Sequence, residues 1–165
     1  MEKPVYHAFT CDCNCISNRL LSEAIIEANN TSVKTCAQWD TGASGTCIDD
    51  DLANELSLVA TGMTTIKTPS GSKNVNVYLV SIILPNNVGV RDIPVFGTDI
   101  GNQGIGLLIG MDIINMGDFA VSCFGGKTVY SFRVPSKKKT DYVLEINIEN
   151  KTGHHGTGKR KKKKK

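Results

Sequence analysis

Short runs rich in Val, Ile and Thr, each closed by a turn signal, recur along most of this chain, and that rhythm restricts the fold more than any other feature. Asn29-Asn30 follows LLSEAIIEA, the cluster at 69–72 separates two alternating stretches, and Asn86-Asn87 ends a long apolar run. Asn tolerates positive φ, Pro presets φ and Gly lacks a Cβ, so these are places where a backbone reverses. Strand-like runs spaced about eight to twelve residues apart, with turns between them, point to an all-β barrel or sandwich. Aromatic residues make up only 6% of the 165 residues, so the core is expected to be largely aliphatic and β-branched.

The alternation predicts a hairpin over 19–39 with Asn29-Asn30 at its bend, whose second strand, SVKTCAQW, delivers Asp40. IDDDLANELSL, with carboxylates at its start and Leu52 and Leu56 one turn apart, predicts a short helix. The run from Val75 to Leu84 predicts a long strand that exchanges its buried face midway, and VGVRDIPVF a strand returning beside it. LLIGMDIINMGDF begins as a strand and ends as a second short helix. FAVSCF and KTVYSFRV read as further strands, with YVLEINI one more candidate. The expected organisation is an irregular N-terminal arm over 1–18, a folded domain over 19–150 and a disordered basic tail over 151–165.

The formal charge of +3 conceals an asymmetry. All seven residues at 159–165 are basic; without them twelve basic residues face sixteen acidic ones, leaving a body near −4. Such a tail can bind phosphate backbones or simply remain solvated. No apolar run approaches the ~20 residues of a membrane span, and no signal-peptide core opens the chain, so the expected setting is cytoplasmic. Cys11, Cys13, Cys15, Cys36, Cys47 and Cys123 are then read as reduced thiols. Zinc at Cys11-x-Cys13-x-Cys15 would need a fourth ligand, for which only His7 is near, and no metal is expected.

Within CAQWDTGASGTC the triplet Asp40-Thr41-Gly42 stands directly after a strand. Asp and Thr bond their own backbone and Gly accepts unusual φ, so a plain turn is one reading. Catalysis is another. Two carboxylates held within hydrogen-bond reach share one proton, one acting as base toward water and the other polarising a carbonyl. One such triplet supplies one carboxylate. Asp99-Ile100-Gly101 lacks both the hydroxyl and an apolar strand leading into it, so a further aspartate has to come from another copy of the chain. Ser44 is placed to bond the outer oxygen of Asp40, and Thr41 to lock the turn through its hydroxyl. Trp39 is expected in the core, and Asp112 as a helix-start carboxylate bonding backbone amides.

About 65 residues after the loop comes Leu107-Leu108-Ile109-Gly110-Met111-Asp112, entering a helix. The two motifs in this order and spacing resemble the retropepsins, the single-domain homodimeric aspartic proteases, and their short bacterial relatives in particular. The resemblance covers roughly residues 19–135. It implies a closed β-barrel of the acid-protease kind with one or two short helices, acting on peptide or protein substrates without a cofactor. It implies Asp40, Thr41 and Gly42 as the catalytic loop, Ala43, Ser44, Ile109 and Gly110 as its support, and Thr68, Pro69, Ser70, Gly71 and Ser72 as the tip of a flap over the substrate. Two departures stand out. The flap tip has one glycine where viral flaps have several, and Met111-Asp112 replaces the basic residue that braces viral dimers. An alternative keeps the fold and drops the catalysis: a silent dimeric β scaffold whose basic tail tethers it to nucleic acid.

Overall fold

In the computed structural model, which describes residues 4–68 and 71–153, ten strands divide between two sheets. In chain order they are β1 (His7–Asp12), β2 (Leu20–Ala28), β3 (Thr31–Trp39), β4 (Cys47–Asp49), β5 (Gly62–Thr68), β6 (Gly71–Leu84), β7 (Val88–Thr98), β8 (Leu107–Ile109), β9 (Asp118–Ser122) and β10 (Val129–Val134). Helix α1 (Asp50–Glu55) follows β4, α2 (Met111–Ile114) follows β8, and α3 (Tyr142–Gly153) follows β10. The larger sheet has the order β2-β3-β8-β4-β7-β6-β5, and β2 also pairs with β6, so six strands close into a barrel. Strand β5 and the first half of β6 project from it as a hairpin. The fold is all-β with a closed barrel, as the sequence predicts.

Local chemistry accounts for the turns. Asn29 and Asn30 both take positive φ (50° and 61°), the conformation that a two-residue bend between right-twisted strands requires. Asn86 and Asn87, both at φ 56°, reverse the chain between β6 and β7. Strand β6 buries Val75, then Tyr78, Val80, Ile82 and Leu84, so the expected exchange of faces occurs, between Val77 and Tyr78. It comes earlier than the run Val75, Val77, Leu79 suggests, and Leu79 is exposed.

Two expectations change. The N-terminal arm is not irregular throughout: β1 pairs along its length with β10, in a smaller sheet of order β1-β10-β9. Phe9 of β1 packs among Trp39, Tyr130 and Phe132, and Phe119 of β9 stacks on Trp39 at 5.2 Å. The smaller sheet is thus fastened by aromatic packing directly behind the strand that carries Asp40. The candidate strand YVLEINI is instead the start of α3. Asp141 caps it, accepting the Leu144 N–H at 3.1 Å. The segment has no sheet neighbour among the described residues, and Tyr142, Val143, Leu144, Ile146 and Ile148 are all more than half exposed. Of the expected tail, residues 151–153 close α3 and the remainder lies outside the described residues. Among the described residues no helix is long and apolar enough to cross a membrane.

Candidate active site

Strand β3 runs parallel to β8, with Trp39 beside Ile109, and the ladder continues one step further: the Asp40 N–H donates to the Ile109 carbonyl at 2.9 Å. The start of the loop is therefore held by main-chain bonding in the barrel wall. Its next turn is closed by the Ala43 N–H on the Asp40 carbonyl (3.2 Å), and the Met111 N–H at the start of α2 donates to the Ala43 carbonyl (2.8 Å). These bonds bring Asp40, Ala43, Ile109 and Gly110 together. Gly110 has no substitute here, because a Cβ on it would lie 2.6 Å from the Gly45 backbone.

The Asp40 carboxylate is half-buried, and its Oδ1 accepts the Gly42 N–H at 2.8 Å. The Gly42 amide, rather than the Ser44 hydroxyl, is the partner that orients it, since an amide two residues on closes a tight local ring that a more distant side chain does not. Thr41 and Ser44 are exposed on the loop. Among the described residues the Thr41 hydroxyl makes no hydrogen bond, so the turn is locked by main-chain groups and not by that side chain. Trp39 sits in the core, 4% exposed, donating its indole N–H to the Ser22 hydroxyl at 3.1 Å.

Two carboxylates near the loop have structural partners. Asp112 accepts the Thr46 N–H (2.8 Å), the Thr46 hydroxyl (2.7 Å) and the Ile113 N–H (2.9 Å). The Thr46 hydroxyl in turn accepts the Gly110 N–H at 3.2 Å. This knot ties the C-terminal end of the loop to α2. Asp49 is buried, and its Oδ1 accepts the Ile100 and Gly101 N–H groups at 3.0 and 2.6 Å. Asp49 does not stand out in the sequence; in a run of three aspartates nothing marks which one turns inward. Asp99-Ile100-Gly101 is thereby assigned a structural part, its amides occupied by Asp49. Beside the loop, burial pushes the Cys47 thiol above its ordinary value; contact with Thr98 partly offsets this, and the nearby Asp112 and Asp40 add to it.

The hairpin of β5 and β6 holds Thr68 and Gly71 in register at its outer end, with the Thr68 hydroxyl donating to the Gly71 carbonyl at 3.0 Å. Ser72 pairs with Lys67. Pro69 and Ser70, expected at the tip, lie outside the described residues. All six cysteines are free thiols, and among the described residues no group of three His, Cys, Asp or Glu side chains is arranged to hold a metal ion.

No family model matches the chain, nor does any curated protein. Among solved structures, a retropepsin-like aspartic protease from Rickettsia conorii aligns over 81% of this chain and 99% of its own length, with TM-score 0.53 and 17% identity. The simian foamy virus (mac) protease aligns over 56% of this chain and 89% of its own, with TM-score 0.41 and 24% identity. A Legionella pneumophila protein of unknown function covers 57% of this chain and 82% of its own, with TM-score 0.35 and 21% identity. The last two likenesses are too partial to argue from. The first, at that identity, speaks to architecture: the chain has the retropepsin-like fold.

Proposed function

We propose that this chain is an aspartic endopeptidase that works as a homodimer, with one water activated between two Asp40 carboxylates, one from each subunit. The observation that carries the proposal is the setting of Asp40. It stands at the end of a barrel strand, anchored by main chain on one side and oriented by the Gly42 N–H, on a loop whose Thr41 and Ser44 face solvent. That leaves the loop able to meet a copy of itself across a two-fold axis, which a self-complementary contact permits.

Two carboxylates in contact cannot both ionise, so the pair holds one proton. The ionised member takes a proton from water as the water oxygen attacks the scissile carbonyl carbon. The protonated member donates a hydrogen bond, and then its proton, to the carbonyl oxygen. When the tetrahedral intermediate collapses, the C–N bond breaks and the amine leaves with a proton from the dyad. A hydroxyl of the intermediate returns a proton to the dyad, which leaves a carboxylic acid and restores the shared proton. Thr41 and Gly42 complete the catalytic loop, Ala43, Ser44, Ile109 and Gly110 support it, and the hairpin tip at Thr68, Pro69, Ser70, Gly71 and Ser72 closes over an extended peptide. No cofactor enters this chemistry. The six free thiols favour a reducing, cytoplasmic setting.

Incubating the purified protein with unfolded casein and with fluorogenic peptides tests the proposal. Cleavage by the native sequence and a loss of at least about 10³-fold in Asp40→Asn are expected, since removing a positioned acid–base group alone costs up to about 10⁴-fold. Cleavage that survives Asp40→Asn overturns the mechanism. Absence of cleavage from a well-folded dimer favours the silent scaffold instead.

A further inference from the structure

The β5–β6 hairpin has two chemically different faces. Pairing sets Gly62 opposite Val77, Thr64 opposite Val75, and Ile66 opposite Lys73, and directly opposed residues of an antiparallel pair share a face. On this face Val75 is only 4% exposed, and Thr64, Ile66 and Val77 are half-buried. On the other face Met63, Thr65, Lys67, Ser72, Asn74 and Asn76 are all exposed. The face of Val75 and Val77 is therefore turned toward the molecule, and the face of Met63 and Asn76 toward solvent.

One more pairing shows what lies along the inner face. Val77 stands opposite Phe96 of β7, so the Phe96 ring continues that same face beyond the hairpin's base. This ring lies against the catalytic loop: a Cβ on Gly45 would come within 2.3 Å of it. The Phe96 N–H also donates to the Thr46 carbonyl at 3.0 Å. Outward from the loop, the face runs Phe96, Val77, Val75, Lys73. Four residues of strand carry Lys73 about 13 Å beyond Val77, toward the outer end of the hairpin. The rest of the face is apolar or a small hydroxyl. Lys73 is exposed and forms no ion pair among the described residues, so its ammonium is an unmatched charge at the outer end of the inner face.

We propose that Lys73 is a specificity-determining residue that selects substrates carrying an aspartate or glutamate within about four residues of the scissile bond. This rests on the endopeptidase reading above. A peptide seated beneath the hairpin displaces water from the ammonium, which then attracts a carboxylate more strongly than on open surface and leaves a neutral or cationic side chain worse placed. The two-fold arrangement brings one Lys73 per subunit, so the preference falls at two positions, one on each side of the bond that is cut. Lys67, on the outer face and paired with Ser72, has no part in it.

A peptide identified from the casein digest is resynthesised in matched pairs, with Glu or Gln at each of about four positions on either side of the scissile bond. The readout is the Glu-to-Gln ratio of kcat/KM for each enzyme variant, so general losses of activity cancel. For the native sequence a preference for Glu of about three- to tenfold is expected at one position on each side, diminishing as salt rises. Lys73→Gln brings the ratio to about one, and Lys73→Glu inverts it and creates a preference for Lys at the same positions. A ratio near one in the native sequence, or one that Lys73→Gln leaves unchanged, overturns the assignment while the protease reading stands. Cleavage indifferent to Asp40→Asn, or none at all, overturns that reading and this assignment with it.

Discussion

At Asp112 a single carboxylate answers three donors from two parts of the chain: the amide and hydroxyl of Thr46 and the amide of Ile113. Thr46 is fully buried, so without Asp112 its amide and hydroxyl would lose their acceptor away from water. Replacing Asp112 with Ala is expected to cost about 2–4 kcal/mol, the range for stranding buried donors of a charge-assisted pair. Urea unfolding of the two proteins checks it; a loss under about 0.5 kcal/mol would mean that the knot is not what seats the loop. Substrate cleavage should fall in parallel, because Gly110 and the loop share these bonds. Part of this is readable in the sequence: a carboxylate at a helix start invites backbone amides. Thr46 as the partner is not, since nothing local links residues so far apart. The Gly42 amide is likewise hidden behind Ser44, because a main-chain donor leaves no mark in the sequence where a side chain does.

Elements whose pattern is set by near neighbours are the legible ones. Asn29-Asn30 and Asn86-Asn87 mark their own bends, and β3, β7 and β8 declare themselves by apolar residues that the barrel then buries. Strand β1 is illegible because its pairing is with β10, more than a hundred residues away, and its polar neighbours obscure Phe9. The region after β10 misleads in the other direction. Leu144, Ile146 and Ile148 alternate like a strand, yet among the described residues no sheet edge receives them and Asp141 caps a helix instead. What fastens the end of β10 to β9 is Asp118, which accepts from the Arg133 guanidinium, the Ser136 hydroxyl and the Lys137 N–H. The Ser136 hydroxyl, the Lys137 amide and Arg133 hold the Asp118 carboxyl well below the usual carboxylate range. A depressed value means that the ionised form is the one folding favours. Its contribution is present above the unfolded value near 4 and is lost as pH falls toward the folded value. Asp118→Asn should therefore lower Tm at pH 7, with the gap to the native sequence closing progressively below about pH 4. Thermal scans across pH 2–8 decide it, and a gap independent of pH would assign the network's effect to packing alone. Because the group is solvent-accessible, the gap should also narrow in high salt.

For the whole molecule, the proposed chemistry requires a pair of chains, because each chain carries one Asp-Thr-Gly. The barrel, the aromatic sheet behind Trp39 and the Asp112 knot all hold one loop in place, and the Asp112 carboxylate is taken up by Thr46 and Ile113. That separates the proposal from any monomeric mechanism by simple mixing statistics. Native and Asp40→Asn chains, unfolded together and refolded at equal amounts, distribute as about one quarter native pairs, one half mixed pairs and one quarter mutant pairs when association is random. A mixed pair retains one carboxylate and cannot share a proton between two, so only the native pairs should cut. Cleavage per native chain should then fall to about half that of the unmixed protein, and total cleavage should follow the square of the native fraction. Titrating the ratio with a fluorogenic peptide reads this directly, with Asp40→Asn chains carrying a size tag so that mixed pairs can be counted on a native gel. Total cleavage linear in the native fraction, with mixed pairs demonstrably present, would show that one Asp40 suffices and would end the two-fold reading of the site.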